Sequence, residues 1–377
     1  MDTQGSGCDR TRRPRLAFRQ FRRRHHTRSR GSAERGVSWR SVPRSRRADS
    51  IPDCSGRAAS RTLWSTDVKA LLVPGVVLVA VFAALPLFTS RSDLLNLGVQ
   101  IFLAVLLAQS WNLLGGYAGQ INLGHAAFFG LGALVTRTLW VGGTPLIWGL
   151  GAGALVALLF GLLIGIPAFR LRGAYFAIGT LGLAEILRIA VGNLLPQIST
   201  IPATELTSYN ILPRYYLTLG LAILSVALLI LLIPSRVGLG IRAVREDEAA
   251  AEATGVSALR HKLLALALST ALAGLAGGAF AYYHVSYYPQ HTFSPAWTFD
   301  AVLMSYIGGV GTVHGPVLGA LFYVILRELL ALQLVEFHLI IFGVLFMLVV
   351  LFLPGGLVEA GQRVRRLIYR RGHGTDH

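Results

Sequence analysis

From position 115 to 125 the chain reads Gly-Gly-Tyr-Ala-Gly-Gln-Ile-Asn-Leu-Gly-His, a run of glycines and amide side chains between two apolar segments long enough to cross a bilayer. Lipid offers no partners to irregular backbone, so such a stretch is tolerated at membrane depth only inside protein or beside a watery cavity. The alternative is an ordinary glycine-rich loop outside the membrane. The flanking segments set the class. Apolar runs recur from Leu71 almost to Leu353, many near the ~20 residues that a spanning helix needs. Only 14% of the residues are charged, against about 25% in average soluble domains. The sequence therefore predicts an all-α, polytopic membrane protein.

Ten spans are expected, at about 70–89, 95–114, 125–141, 146–167, 174–191, 215–233, 263–283, 298–309, 316–333 and 337–353. The third and eighth are short and interrupted by glycine. Basic residues set the orientation. Arg170 and Arg172 follow the fourth span, Arg236 to Lys262 follow the sixth, and five arginines close the chain. The alternate connections hold little more than Arg91 and Arg214. Both termini are therefore expected on the cytoplasmic side. Five spans on each side of the outer loop at 192–214 would make two halves of opposite orientation, the arrangement of an inverted repeat. Sequence similarity between the halves is too weak to establish one. A second glycine-rich stretch, Gly308 to Pro316, resembles the first only loosely.

The net charge of +17 is concentrated at one end. Residues 1–66 hold 17 Arg and no Lys against five acidic residues, which places +12 there. An Arg-rich, Ser-rich, apolar-poor segment cannot bury enough surface to fold alone. It reads as a disordered cytoplasmic tail or as an overlong start-site assignment. Its charge suits acidic headgroups or nucleic acid; membrane lipid is the expected contact, and no nucleic-acid partner is expected. The membrane domain is expected over 67–358, with a basic cytoplasmic tail over 359–377. Both cysteines, Cys8 and Cys54, lie in the first segment, which leaves no cysteine-based zinc site or thiol nucleophile for the membrane domain.

Enzyme motifs are missing. The chain contains no His-Glu-x-x-His and no Gly-x-Ser-x-Gly. Its only lysines are Lys69, preceded by Val68, and Lys262, preceded by His261. A P-loop needs Gly-Lys-Ser/Thr, so that backbone amides and the lysine together hold the phosphates. If ATP drives this protein, another polypeptide binds it. No cofactor or metal is expected, and no catalytic residue.

Ionisable groups inside spans are costly and face protein or water. Glu185 and Arg188 stand three apart on the fifth span, where a structural pair is expected. Asp300 lies near the outer end of the eighth span, and Glu328 follows Arg327. His125 reads as a packed, hydrogen-bonded histidine. The strips Gly149 to Gly153 and Gly274 to Gly278 read as helix-packing surfaces. After the sixth span, Asp247 to Ala253 is rich in helix formers, with acidic residues at its start and Gly255 as a stop. A short charged helix between two spanning helices is a natural mechanical handle; the alternative is a solvated connector.

Taken together, four segments resemble the LivM-type permease subunits of ABC importers for branched-chain amino acids. They are Trp111 to Gly130, Leu171 to Ile178, Arg242 to Gly255, and Gly308 to Gly319 with Ser294-Pro295 upstream. The resemblance covers about residues 70–358 in the expected order; the outer loop at 192–214 is short for the family. It implies a bacterial plasma-membrane importer with a sister permease of LivH type, two cytoplasmic ATP-binding subunits and an extracytoplasmic solute-binding protein. It also implies that the loop after the sixth span couples to the ATPase, through Arg242, Arg245, Glu246, Glu248, Ala249, Ala250 and Gly255. Gly255 falls one residue later than in the commonest form of that loop. By the same resemblance, transport proceeds by alternating access. Gly115, Gly116, Gly119, Gln120, Asn122, Gly124 and His125, with Gly308, Gly309, Gly311 and Gly315, would line or hinge the path. Related permeases carry urea and short amides, so such a permease is one alternative. An ion-coupled secondary transporter is another, and an intramembrane enzyme a third.

Overall fold

The computed structural model describes residues 77–88, 91–171, 173–195, 199–200, 209–333 and 356–359, with single positions at 75, 343–344 and 347. The expectations for 1–66, for nearly all of the tenth span and for the basic segment beyond Glu359 fall outside the described residues.

The helices are α1 (Val77–Phe88), α2 (Ser92–Asn112), α3 (His125–Val141), α4 (Leu146–Ala168), α5 (Ala174–Leu194) and α6 (Ile211–Leu232). They continue with α7 (Arg236–Glu246), α8 (Glu248–Ala253), α9 (Ala258–Tyr283), α10 (Pro289–Thr292), α11 (Ala296–Gly308) and α12 (Gly315–Gln333). Five of the described helices are long and apolar enough to cross a membrane: α2 with the turn that extends it, α4, α5, α6 and α9. At ~1.5 Å per residue, the 26 residues of Ser92–Tyr117 exceed the ~30 Å of a hydrocarbon core. α3, α11 and α12 are shorter. Two strands, β1 (Ser199–Thr200) and β2 (Ser286–Tyr287), pair antiparallel with Ser199 opposite Tyr287. The all-α reading did not anticipate this contact.

α2 and α9 are the central helices. In each, 67% of the most apolar window is buried, against 22% in α5. α9 packs on α3 and α4, while α2 packs on α11 and α12; α3 neighbours α4 as α11 neighbours α12. α2 and α9 also touch one another. This exchange of partners is the packing that an inverted repeat produces. It pairs the segment before α3 with the segment before α11, residues 118–124 with 284–295.

α4 shows why these helices approach closely. Gly149, Gly153, Ala157, Gly161 and Gly165 recur every fourth residue and form its buried stripe, so the backbone itself becomes the contact surface. A Cβ on Gly274 of α9 would stand 2.7 Å from that of Ala157, and one on Gly161 would stand 2.7 Å from the Thr270 side chain. A second cluster joins α1, α2, α6 and α12. There the Phe102 ring lies edge-on to both Phe82 and Tyr215, and the Tyr215 hydroxyl donates to the Phe82 carbonyl at 2.7 Å.

The far end of α9 is closed by two arginines. Arg137 of α3 donates to the carbonyls of Ala281, His284 and Val285 at 3.0, 3.1 and 2.8 Å. Arg214 of α6 donates to Tyr282 O at 3.1 Å and lies over the Tyr209 and Tyr282 rings. Helix C-terminal carbonyls lack partners of their own and favour cations.

Candidate functional site

Four buried residues of α2, Gln109, Ser110, Trp111 and Asn112, organise the site. After Asn112 the helix widens into a π turn, Leu113–Tyr117, with Ala118 N bonding to Leu113 O. The chain then doubles back. Trp111 Nε1 donates to Asn122 O at 2.9 Å, and Ser110 Oγ meets His125 Nε2 at 2.7 Å. Both contacts lie about 10 Å back from the end of the turn, at ~1.5 Å per residue. Residues 118–124 thus form a re-entrant stretch that buries Ala118, Asn122 and Gly124 and leaves Gly119 and Ile121 exposed; irregular backbone of this kind needs protein or water around it. α3 starts where that stretch ends.

Side chains replace the backbone partners this stretch gives up. Thr180 Oγ1 accepts from Leu123 N at 3.2 Å and Asn122 Oδ1 from Gly124 N at 2.8 Å. At the start of α3, Thr298 Oγ1 accepts from Ala126 N at 2.8 Å. That last bond sets α3 and α11 side by side at their N-termini, from which they run to opposite ends of the bundle. Next to it the Trp297 ring stacks on Phe129, with centroids 4.7 Å apart, and meets Phe280 edge-on.

The second glycine-rich stretch packs against the first. Asn112 Oδ1 accepts from Gly311 N at 2.8 Å, and its Nδ2 donates to Thr312 O at 2.9 Å. Gln109 Nε2 donates to Val313 O at 2.6 Å. Gly308 lies against Gly315 so closely that a Cβ would collide with its carbonyl. Gly309 adopts φ +126°, and Thr312 bridges from its hydroxyl to Gly309 O and Gly315 N. Gly115 lies on the Trp111 ring, where a Cβ would come within 2.5 Å. Gln120 N donates to Leu114 O at 3.0 Å, and its side-chain amide to Ala118 O at 3.4 Å.

His125 is the packed, hydrogen-bonded residue that was expected, fully buried. Ser110 Oγ also donates to Leu107 O, so it accepts from the imidazole. Among the described residues, His125 Nδ1, Asn122 Nδ2 and Gln109 Oε1 are buried polar atoms without a protein partner. Asn122 also borders a cavity of about 10 Å³, with Gly124, Phe128, Gly161, Gly165 and Thr180. That is about the least space that holds one water.

The loop after α6 holds two helices where one was expected. Ser235 caps α7, its Oγ accepting from Gly238 N at 3.2 Å. Asp247 caps α8, its Oδ1 accepting from Ala250 N at 3.0 Å. α8 ends at Ala253 and Gly255 follows at φ +87°, which fits the expected stop. Only Ala251 of α8 is buried; Glu248, Ala249 and Ala250 are exposed, as is Glu246 just before. A 2.7 Å ion pair from Glu248 to the buried Lys262 ties α8 to α9. Arg242 lies over the Tyr117 ring at 5.9 Å. Arg245, at the last turn of α7, donates to the Gly116 carbonyl. The structure thus brings Gly116, Gly119 and Gly311 together with Arg245, and leaves Gly124 and His125 deeper in the bundle.

Sequence reasoning missed Gln109, Ser110 and Asn112, as well as Thr180, Thr298 and Lys262. The first three were findable, because three polar residues within four positions of a spanning helix need partners inside the membrane. The expected Glu185–Arg188 pair is present, with Arg188 Nε donating to both carboxylate oxygens at 3.0 and 3.1 Å. Asp300 accepts from Tyr323 at 2.6 Å.

The sequence profile described as "Branched-chain amino acid transport system / permease component" matches residues 93–350. The chain belongs to this permease family. It is therefore a multi-pass membrane transport subunit. Among curated relatives, the high-affinity branched-chain amino acid transport system permease protein LivM of Salmonella typhimurium is 29% identical over 332 residues, covering 78% of this chain and 76% of that protein. LivM of Escherichia coli is 29% identical over 321 residues, 75% of this chain and 74% of that protein. A probable LivM of Methanocaldococcus jannaschii is 25% identical over 314 residues, 67% and 89% respectively. No solved structure matches the chain. The re-entrant stretch, both glycine-rich segments and the α7–α8 loop all fall inside the span matched to the permease family.

Proposed function

We propose that this chain is the membrane-spanning permease subunit of an ATP-driven importer for branched-chain amino acids, with α7 and α8 facing the cytoplasm. Permease-family membership over residues 93–350 carries the reading, and the names of the LivM relatives supply the substrate class. The partners are a LivH-type permease, two ATP-binding subunits and an extracytoplasmic solute-binding protein. Neither lysine stands in a P-loop, so hydrolysis belongs to the partners. α8 is shaped for docking. It is capped at its start, stopped at Gly255, anchored by one buried alanine and exposed over the remainder. The glycine-rich segments act as hinges more than as pore lining, since most of their glycines abut backbone or packed side chains.

The test is uptake of leucine, isoleucine and valine by vesicles holding the complete complex, supplied with ATP and the binding protein. Competition among these three, with none from urea or acetamide, is expected. Competition by urea or acetamide instead would assign an amide permease. Uptake that persists without ATP and follows a proton or sodium gradient would assign a secondary transporter.

A further inference from the structure

We infer that Arg245 is a positioning residue that ties the α7–α8 handle to both glycine-rich stretches at once, so that movement of the handle reaches the ends of α2 and α11 through one guanidinium. The inference rests on the importer reading and adds the link between handle and bundle.

Two glycines make room for this side chain and a third accepts a hydrogen bond from it. A Cβ on Gly119 would stand 2.9 Å from Arg245 Cγ, and a Cβ on Gly311 would stand 2.7 Å from Arg245 Nη1 and 3.3 Å from Gly116 O. Gly119 has φ +69° and Gly311 has φ +77°, conformations that side chains other than glycine's adopt at a cost. The third glycine is Gly116, whose carbonyl accepts from Nη1. That carbonyl lies in the last turn of the extended α2, where helical partners run out and a cation is favoured. Gly116 and Gly119 precede α3, whereas Gly311 precedes α12. Asn112 independently fastens Gly311 and Thr312 to α2, so the seat of Arg245 is held from the bundle side. A guanidinium presents its donors as a rigid fork and fits this seat better than a flexible ammonium.

Arg245 is itself exposed, so the competing assignment is direct contact with the ATPase. The experiment separates the two. Arg245→Gln and Arg245→Lys are made in the complete complex. Three quantities are measured: co-purification of the ATP-binding subunits, ATP hydrolysis, and substrate taken up per ATP hydrolysed. Arg245→Gln is expected to retain the ATP-binding subunits and to keep hydrolysing ATP. Its uptake per ATP falls roughly tenfold, within the range of coupling between distant sites. Arg245→Lys recovers part of the loss, because one ammonium donor still reaches Gly116 O. An unchanged uptake-to-hydrolysis ratio in Arg245→Gln overturns the inference. So does loss of the ATP-binding subunits, which would make Arg245 a docking residue. Failure of both variants to reach the membrane would make it a folding residue and overturns the inference equally. If the unsubstituted complex shows no ATP-driven uptake, the importer reading fails, and this inference with it.

Discussion

At the contact of α3, α4 and α9, a Cβ on Gly277 would collide with the carbonyl of Phe129, and one on Gly132 with the backbone of Gly274. At the α7 end, a Cβ on Gly119 or Gly311 would instead meet the side chain of Arg245. Both sets of glycines create space, but for different occupants. In the first, backbone lies on backbone within regular helix, where packing density leaves nothing free to yield. In the second, the glycines sit in turns at positive φ, and the occupant is a long, exposed side chain. Adding atoms should therefore break the fold at the first place and the coupling at the second.

The largest effect is expected from Gly277→Val. Side-chain atoms there force α9 away from α3, and overpacking of this kind costs about 3 kcal/mol or more when backbone must move. The folded protein should be lost, read as the collapse of a monodisperse peak after solubilisation. If Gly277→Val behaves as wild type, α3 and α9 do not touch as described, and the comparison loses its first half.

Gly255→Pro should come next and should act on transport rather than folding. Proline fixes φ near −65°, whereas Gly255 holds +87°, and it deletes the N–H that bonds Glu252 O at 2.9 Å. The α8 stop would be rebuilt at a cost of about 1–3 kcal/mol. Because the turn is exposed, the bundle should stay intact. The chain is expected in the membrane at normal levels with ATP-driven uptake abolished. Normal uptake would show that the end of α8 plays no part in coupling.

Asn112→Leu probes the join between the two glycine sets. It deletes both bonds to the second stretch and leaves the Gly311 N–H and the Thr312 carbonyl without those partners, costing about 1–3 kcal/mol. A lowered Tm with the ATP-binding subunits still bound is expected. An unchanged Tm would mean that the two stretches are held together by packing alone.

How much of this was legible in sequence depends on which physics each feature uses. The apolar helices were legible, because lipid demands long runs without charge: α3 was expected at 125–141 and spans His125–Val141, and α4 differs by a residue. The stop at Gly255 was legible because helix ends have local chemistry. The strip at Gly149–Gly153 was legible as packing. Its continuation through Ala157 to Gly165 follows the same four-residue spacing, which is read only once the helix is known to be unbroken. The re-entry at 118–124 was legible as irregular backbone inside a membrane domain. Its direction was not, because the turn is set by Trp111 and Ser110 meeting residues eleven and fifteen positions later. The seat of Arg245 was the least legible part. Its three glycines look like pore lining in sequence, and only the approach of segments almost 200 residues apart reveals that they border an arginine.

The smallest expected effect comes from the ion pair that anchors α8, and its asymmetry makes it informative. The Lys262 side chain is 9% exposed and that of Glu248 is 51% exposed. Half-exposed pairs contribute only about 0.2–1 kcal/mol after solvent screening, so neither partner is expected to control folding. The two deletions should nevertheless differ. Glu248→Gln leaves an ammonium in a largely buried place without its counter-charge, which is the costlier situation. Lys262→Met leaves a carboxylate that water can solvate, near the start of α8 where negative charge is favoured. Methionine also fills much of the lysine stem's volume. Glu248→Gln should therefore lower both Tm and uptake more than Lys262→Met does, and added salt should narrow the gap between wild type and Lys262→Met. The reverse order would mean that Glu248 acts mainly outward, on a partner, and that α8 is held to α9 by Ala251 and its apolar neighbours alone.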